Sequence, residues 1–365
     1  MSDSSIVELL SRKKRDVDKI VDITFFRMLE EVSAIASIFP ITNYVDREIL
    51  LLKFKHNRPT IGSIVAEDQD IPATRPRSEL REELFSNLKI GKKLLFLERD
   101  FELMFKMKTY LGMTGAVQTQ VAAEIEKHFF GLTADLVPSV IEKLTVLAFQ
   151  VATTGACIYT DPLTNARVAL TYPGTLATLL PAALTGNARW SQPATATPLT
   201  NLEGHATAHY DVLGSFPQKI IMRWSNLRQV ANSVEAKTAV MRRSGADSTT
   251  PDTTASYITD ALATDLILER TRAKELILFD AQYSEESASG VITDKYYLDD
   301  NTYLFARDGQ FERAFVPTVE KDFASGIFFV AEQTSKSPRR EHAIAVGNGI
   351  PFVSDDRYIA ARKVA

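Results

Sequence analysis

The chain has 365 residues, 45% hydrophobic and 24% charged, with a net charge of −4 from 42 basic and 46 acidic side chains. That length allows about two domains with cores of their own, and the charge excludes a strongly basic nucleic-acid binder. A single cysteine, Cys157, excludes an intramolecular disulfide framework and a cysteine-rich metal centre, and reads as a small buried hydrophobe.

The first thirty residues open on Met1-Ser-Asp-Ser-Ser and not on an apolar signal core. Residues 5 to 36 carry Ile6, Leu9, Val17, Ile20, Val21, Phe25, Leu29 and Val32 at helical intervals. Within them Arg12-Lys13-Lys14-Arg15 resembles a nucleic-acid patch, yet Asp3, Glu8, Asp16, Asp18, Asp22 and Glu30 balance the basic residues. A self-compensating, solvated helical arm is the better reading.

From Asp46 to Glu98 the pattern changes. Ile49 to Phe54 and Ile61 to Val65 are short apolar runs around Asn57-Arg58-Pro59, a strand–turn–strand signal. Glu67, Asp68 and Asp70 follow, then Arg75, Arg77 and Arg81 among Pro72 and Pro76, and Lys92 to Leu97 is the next strand candidate. So mixed a segment buries little by itself. It is expected to rest on something else, either as a lid in an enzyme or as an arm on a neighbouring subunit.

Ala116 to Thr153 is the longest periodic stretch, with Val117, Val121, Ile125, Phe129, Leu132, Leu136, Val140, Leu144, Leu147 and Val151 three or four residues apart. Unbroken, it would make a rod of roughly 57 Å. Pro138 predicts a kink or two abutting helices. Thr153 to Ser215 holds only Asp161, Arg167, Arg189, Glu203 and Asp211 as charged residues, which reads as β structure and loops. Whether these cover another protein surface or form a loop-rich domain stays open. No uninterrupted apolar run of 18 residues occurs; Thr171 to Gly186 comes nearest and is broken by Pro173 and Pro181, so no membrane span is expected.

Lys219 to Arg223 reads as a strand, Asn226 to Met241 and Tyr257 to Arg270 as helices around a loop at 242–251, and Glu275 to Tyr283 as a strand. Val291 to Leu298, Thr302 to Ala306, Ile327 to Ala331 and Ala343 to Val346 are further strand candidates. Asp299-Asp300-Asn301, Asp308-Gly309 and Gly347-Asn348-Gly349 read as turns.

Motifs for chemistry are scarce. His205 and His209 have the i, i+4 spacing of a zinc pair but lack the intervening glutamate, and the preceding Pro and Gly argue against a helix there. His56, His128 and His342 are isolated, and Glu82-Glu83 and Glu285-Glu286 read as solvated loop residues. No glycine-rich phosphate loop and no nucleophile elbow occurs, so no cofactor, metal or catalytic group is assigned and an enzyme is not expected.

The order of features nevertheless resembles one family, the major capsid proteins of tailed bacteriophages, lambda E-type branch, with the Hong Kong 97-like fold. The resemblance rests on Arg47 to Phe54 with the proline- and arginine-rich excursion after it, on the long helix, and on Arg189-Trp190-Ser191-Gln192-Pro193 with Pro198-Leu199-Thr200-Asn201-Leu202. It continues through Phe216 to Ile221, the helix near Asn226, Glu275 to Tyr283, Tyr297 to Phe305 and the closing Asp356 to Val364. Asn201 stands where the family commonly has Asp, and residues before about 45 have no obvious counterpart. No scaffolding domain is recognisable, so no large N-terminal removal is expected, and no lysine–asparagine cross-linking pair is identifiable.

The resemblance implies an α+β fold with an N-terminal arm (1–45), an extended loop (46–98), a peripheral domain on the spine helix (99–158), an axial domain (159–285) and a β-rich peripheral return (286–365). It implies a capsid subunit of the virion, assembled in the host bacterial cytoplasm. Its partners would be itself in pentamers and hexamers, scaffolding, portal and decoration proteins, and packaged double-stranded DNA by weak non-specific contact. The residues expected at contacts between subunits are Arg58, Glu67, Asp68, Asp70, Arg75, Arg77, Arg81 and Trp190. An encapsulin-like nanocompartment, which shares the fold, and an α/β enzyme with 46–98 as a lid are the rival readings.

Overall fold

The computed structural model describes residues 33–45, 49–54, 80–85, 88–96, 98–111, 120, 124, 135–163, 165–172, 176–243, 258–319, 322–336, 339–354 and 356–364. In chain order these form helix α1 (Ser33–Ala36), strands β1 (Ile41–Asn43), β2 (Ile49–Phe54), β3 (Leu80–Phe85) and β4 (Leu88–Phe96), and helices α2 (Glu98–Leu111) and α3 (Leu136–Thr154). Strands β5 (Ala156–Thr160) and β6 (Arg167–Thr171) lead to α4 (Pro198–Leu213), β7 (Lys219–Met222), α5 (Trp224–Asn232), α6 (Val234–Arg243) and α7 (Asp260–Thr271). The remainder is β: β8 (Glu275–Leu278), β9 (Gln282–Glu286), β10 (Ile292–Tyr296), β11 (Thr302–Ala306), β12 (Phe311–Val316), β13 (Ile327–Lys336), β14 (Arg339–Val353) and β15 (Ala360–Lys363).

α3 is the element on which the cores meet. The predicted stripe holds from Leu136 onward: Val140, Leu144, Leu147 and Val151 are buried, as are thirteen of the nineteen residues, while Glu142, Lys143, Gln150 and Thr153 stay partly exposed. Near-complete burial explains why a helix this apolar belongs to a protein core. The helix is shorter than expected, about 28 Å. It starts after a turn at Asp135, and Pro138 lies in its first turn, where no intrahelical partner for an N–H exists. Pro138 therefore marks a start and not a kink. Residues 116–134 lie outside the described set apart from Gln120 and Glu124, both helical. At the other end Gly155 takes the left-handed conformation (φ 70°), and its N–H closes on the Val151 carbonyl at 2.8 Å.

The N-terminal half of α3 packs Val140, Ile141 and Leu144 against Phe96, Phe315, Ala343 and Ala345 of a five-stranded sheet. In that sheet β14 pairs antiparallel with β4, β12 and β13, and β1 adds parallel to β12. The C-terminal half buries Leu147, Phe149, Val151 and Ala152 beside Phe39, Phe311 and Leu304. Phe149 stacks on Phe39 at 4.6 Å and on Phe279 at 5.2 Å. Buried Arg313 ties β12 to this core, donating from Nε to the Phe39 carbonyl (2.8 Å) and from a terminal nitrogen to Thr145 Oγ1 (3.1 Å), and burial pulls its pKa down to about 10.

A second sheet, ordered β15-β11-β7-β8, is covered on both faces. Leu304, Ala306 and Ile221 face the α3 side, whereas Tyr303, Phe305, Ile220 and Met222 join Leu202, Leu227, Val230, Leu266 and Ile267 of the helices on the other side. Strict alternation with apolar side chains on both faces gives the continuous apolar runs of Ile220 to Met222 and Tyr303 to Ala306.

Several expectations change. The partner of β2 is β3, paired from Ile49↔Phe85 to Phe54↔Leu80, and the run 61–65 lies outside the described residues. So does the arm before Ser33. The segment 153–215 is a β5–β6 hairpin followed by a helix, α4, that Pro198 starts from its first turn. The helix expected over 226–241 is two, because Ser233 leaves helical geometry to end α5 and its Oγ accepts the Ala236 N–H at the start of α6. The 275–283 strand divides at Asp280, which is held by Arg223. Glu82-Glu83 and Glu285-Glu286 sit on strands β3 and β9 and not in loops. Gly347-Asn348-Gly349 is the middle of β14, not a turn. A Cβ at Gly347 would lie 3.3 Å from the Phe315 ring, so glycine there serves close packing. Strands β12 and β15 were not foreseen.

Candidate functional site

The contact residues expected in the excursion separate into two groups. Arg58, Glu67, Asp68, Asp70, Arg75 and Arg77 lie outside the described residues. Arg81 is on β3, directly opposite Lys53. Trp190 is a correction: it is 1% exposed and its ring lies 5.5 Å from that of Tyr303, nearly parallel. Its place is the core of its own chain, with no surface left for a neighbour.

His205 and His209 lie on α4 after all, one turn apart and both buried. They are satisfied by the protein, not poised for metal. His205 Nδ1 meets the Tyr303 hydroxyl at 2.9 Å and Nε2 the Leu179 carbonyl at 3.0 Å, while His209 Nδ1 meets the Ser215 carbonyl at 2.8 Å. Burial pushes the His205 pKa down to about 4 against the Leu179 hydrogen bond, and lowers that of His209 as well. Among the described residues no group of three or more His, Cys, Asp or Glu side chains is arranged to hold a metal ion. Cys157 is fully buried, and burial raises its thiol to about 11, the setting of an inert core residue.

Two polar constellations were invisible in the sequence. The first lies in a cleft of about 340 Å³ between α3, β4, the β5–β6 hairpin and β9. Lys143 donates to the Tyr159 hydroxyl, which donates to Glu285, and Lys143 and Lys295 both pair with Glu285, at 3.3 and 2.6 Å. Burial alone would raise Glu285, but the two ammonium groups outweigh it and hold the carboxyl below its usual range. These groups satisfy one another, so the network braces four elements, α3, β5, β9 and β10. No spacing signal could join positions 143, 159 and 285.

The second constellation caps the ends of β7 and β8. Arg223 donates to Asp280 at 3.1 Å and to Asp300 at 2.8 Å, and its guanidinium sits 3.5 Å from the centre of the Tyr296 ring. Asp280 also accepts the backbone N–H of Trp224, and Asp260 accepts the Trp224 indole N–H at 3.1 Å. The sequence marked Asp299-Asp300-Asn301 only as a turn, although Asp300 is one of the carboxylates that hold Arg223.

No family model matches the chain, and no curated protein matches its sequence. Solved structures similar to it include a chain assigned as a prophage capsid protein of E. coli CFT073, 16% identical with a TM-score of 0.50 over 78% of this chain and 80% of that one. They also include a phage-related protein from Bordetella bronchiseptica RB50 (12% identical, TM-score 0.44, 90% of this chain and 89% of that one). A chain of the capsid of Myoviridae phage XM1 is 9% identical, with a TM-score of 0.44 over 91% of this chain and 90% of that one. At such identity the first similarity speaks for architecture: the chain has an α+β capsid-protein fold.

Proposed function

We propose that the chain is a structural shell subunit, a phage major capsid protein of the Hong Kong 97-like type. In this reading it associates into pentamers and hexamers that close an icosahedral head around double-stranded DNA. The observation that carries the reading is the shared fold with the E. coli CFT073 prophage capsid protein over 78% of the chain.

The β2–β3 hairpin supports it. Its register puts Leu50, Leu52 and Phe54 on the same face as Leu84, Glu82 and Leu80, five apolar residues of six. A two-stranded sheet is marginal alone, and among the described residues no other helix or strand packs extensively against it. A hairpin of this kind suits an arm laid across a neighbouring copy, with Arg81 and the charged residues Arg58, Glu67, Asp68, Asp70, Arg75 and Arg77 at that contact. In the same reading residues 1–45 are an N-terminal arm, 99–158 and the β-rich return 286–365 form a peripheral domain, 159–285 form an axial one, and scaffolding, portal and decoration proteins are further partners. With a net charge of −4, contact with packaged DNA is weak and independent of sequence.

Electron microscopy of the purified, concentrated protein tests the reading. Closed polyhedral shells are expected; a protein that stays monomeric under all assembly conditions overturns it. Small uniform shells that hold a cargo peptide and no DNA would assign it to nanocompartments instead.

A further inference from the structure

We propose that the two ends of the unit formed by β7, β8, α5 and α7 are the two halves of one head-to-tail contact between copies of this chain. The proposal rests on the shell reading and adds to it which surfaces meet. β7 and β8 run parallel, with Lys219 beside Glu275 at one end and Met222 beside Leu278 at the other. α7 returns along them, so its twelve residues hold the two ends about 18 Å apart.

The end beyond Met222 and Leu278 is acidic and aromatic. Trp224 is 44% exposed and Leu262 38% exposed, although Leu227 and Val230 of α5 and Leu266 and Ile267 of α7 are buried. Around them Asp260, Asp280, Asp299 and Asp300 outnumber Arg223 and Arg228, leaving a negative rim. At the opposite end Lys219 is shared between the carboxylates of Glu275 and Asp308, and an aromatic pair and two further cations lie beside it. Arg272, in the left-handed residue that ends α7, holds its guanidinium 4.8 Å from the centre of the Phe216 ring, which stacks on half-exposed Tyr210 at 4.6 Å. Lys274 is exposed two residues on, and neither Arg272 nor Lys274 has a carboxylate partner among the described residues.

Aromatic side chains and arginine at the centre, with complementary charge around them, are the composition of a protein contact. The two patches differ and lie at opposite ends of the unit, so in a head-to-tail arrangement one copy's acidic end meets the next copy's basic end, and a heterologous contact of this kind makes a ring when its rotation closes. Rings of five and six are what a shell of pentamers and hexamers needs.

The test uses exposed charges away from the buried networks: Lys274→Glu, Asp299→Lys and the double variant, each full-length. Each single reversal is expected to lower the assembled fraction about tenfold at low salt, by light scattering and microscopy, with the wild-type unfolding midpoint retained. The double variant, which restores opposite charges across the contact, is expected to recover most of the assembly. Trp224→Ser, which removes the aromatic anchor without touching those charges, should also depress it. Singles that assemble like the wild type, or a double no better than the singles, overturn the contact while the shell reading stands. A wild-type chain that never assembles overturns both.

Discussion

A Cβ at Gly349 would lie 3.1 Å from Leu144 Cδ2 and 3.3 Å from the Ala314 carbonyl oxygen. Helix α3 therefore seats on β14 at a place where the strand offers bare backbone. Gly349→Ala is expected to cost about 1–3 kcal/mol through overpacking, and Leu144→Ala about 2–5 kcal/mol through the cavity it leaves. In the double variant the new methyl occupies part of that cavity, so the combined loss falls short of the sum. Chemical denaturation of the isolated subunit measures all three, and strict additivity would contradict this packing.

Pro138 provides a second check. In the first turn of α3 it displaces no intrahelical hydrogen bond, so Pro138→Ala should shift stability by less than about 1 kcal/mol. Val146→Pro, in the buried middle of the same helix, should cost about 3 kcal/mol or more.

The histidines of α4 predict an acid-sensitive core. Both are held below their ordinary pKa, so in acid the unfolded chain binds protons that the folded chain refuses. The contribution of His205 is complete above pH 6.5 and is lost as the pH falls toward about 4, a loss on the order of 3 kcal/mol. Arg362 and Arg307 face the pair, and Tyr303 contacts His205 without titrating in this range. Urea midpoints at pH 7 and 4.5 should differ less for His205→Gln than for the wild type. An equal difference would show that His205 takes up its proton in the folded state.

Deleting Glu67 to Arg81 should leave a folded, soluble subunit that forms no shells, because the removed residues carry charges assigned to a neighbour and none of the core described around α3. Intact shells seen by electron microscopy would remove the excursion from the assembly contact.

Helical periodicity alone located α3, α5 and α7, and short apolar runs located β7, β8 and β11, because these elements bury one stripe or whole strands. α4 was obscured by its own composition: Gly204 and the small polar residues around the histidines give no apolar stripe, and Tyr303, far along the chain, is what occupies His205. β14 was misread at Gly347-Asn348-Gly349 because glycine there answers to Phe315 and Leu144, contacts that no local pattern encodes. Pro351 also lies in that strand. It is tolerated because β14 at that point pairs with β12 alone, at Arg313, leaving an open side for a residue without an N–H. The two ionic constellations join residues up to 142 positions apart, and so were legible only as scattered charges.

The nine-pair ladder between β4 and β14 has a mechanical consequence. β4 follows the β2–β3 hairpin after two residues, so a pull on the hairpin enters the ladder at the Leu88 end of β4. Hydrogen bonds of an antiparallel ladder lie across the strands, and a lengthwise tug must shear many of them together. Were the excursion attached at a strand's flank, the same tug would peel the ladder one rung at a time. In a shell of the proposed kind, a load directed along β4 would thus meet this ladder in its strongest direction.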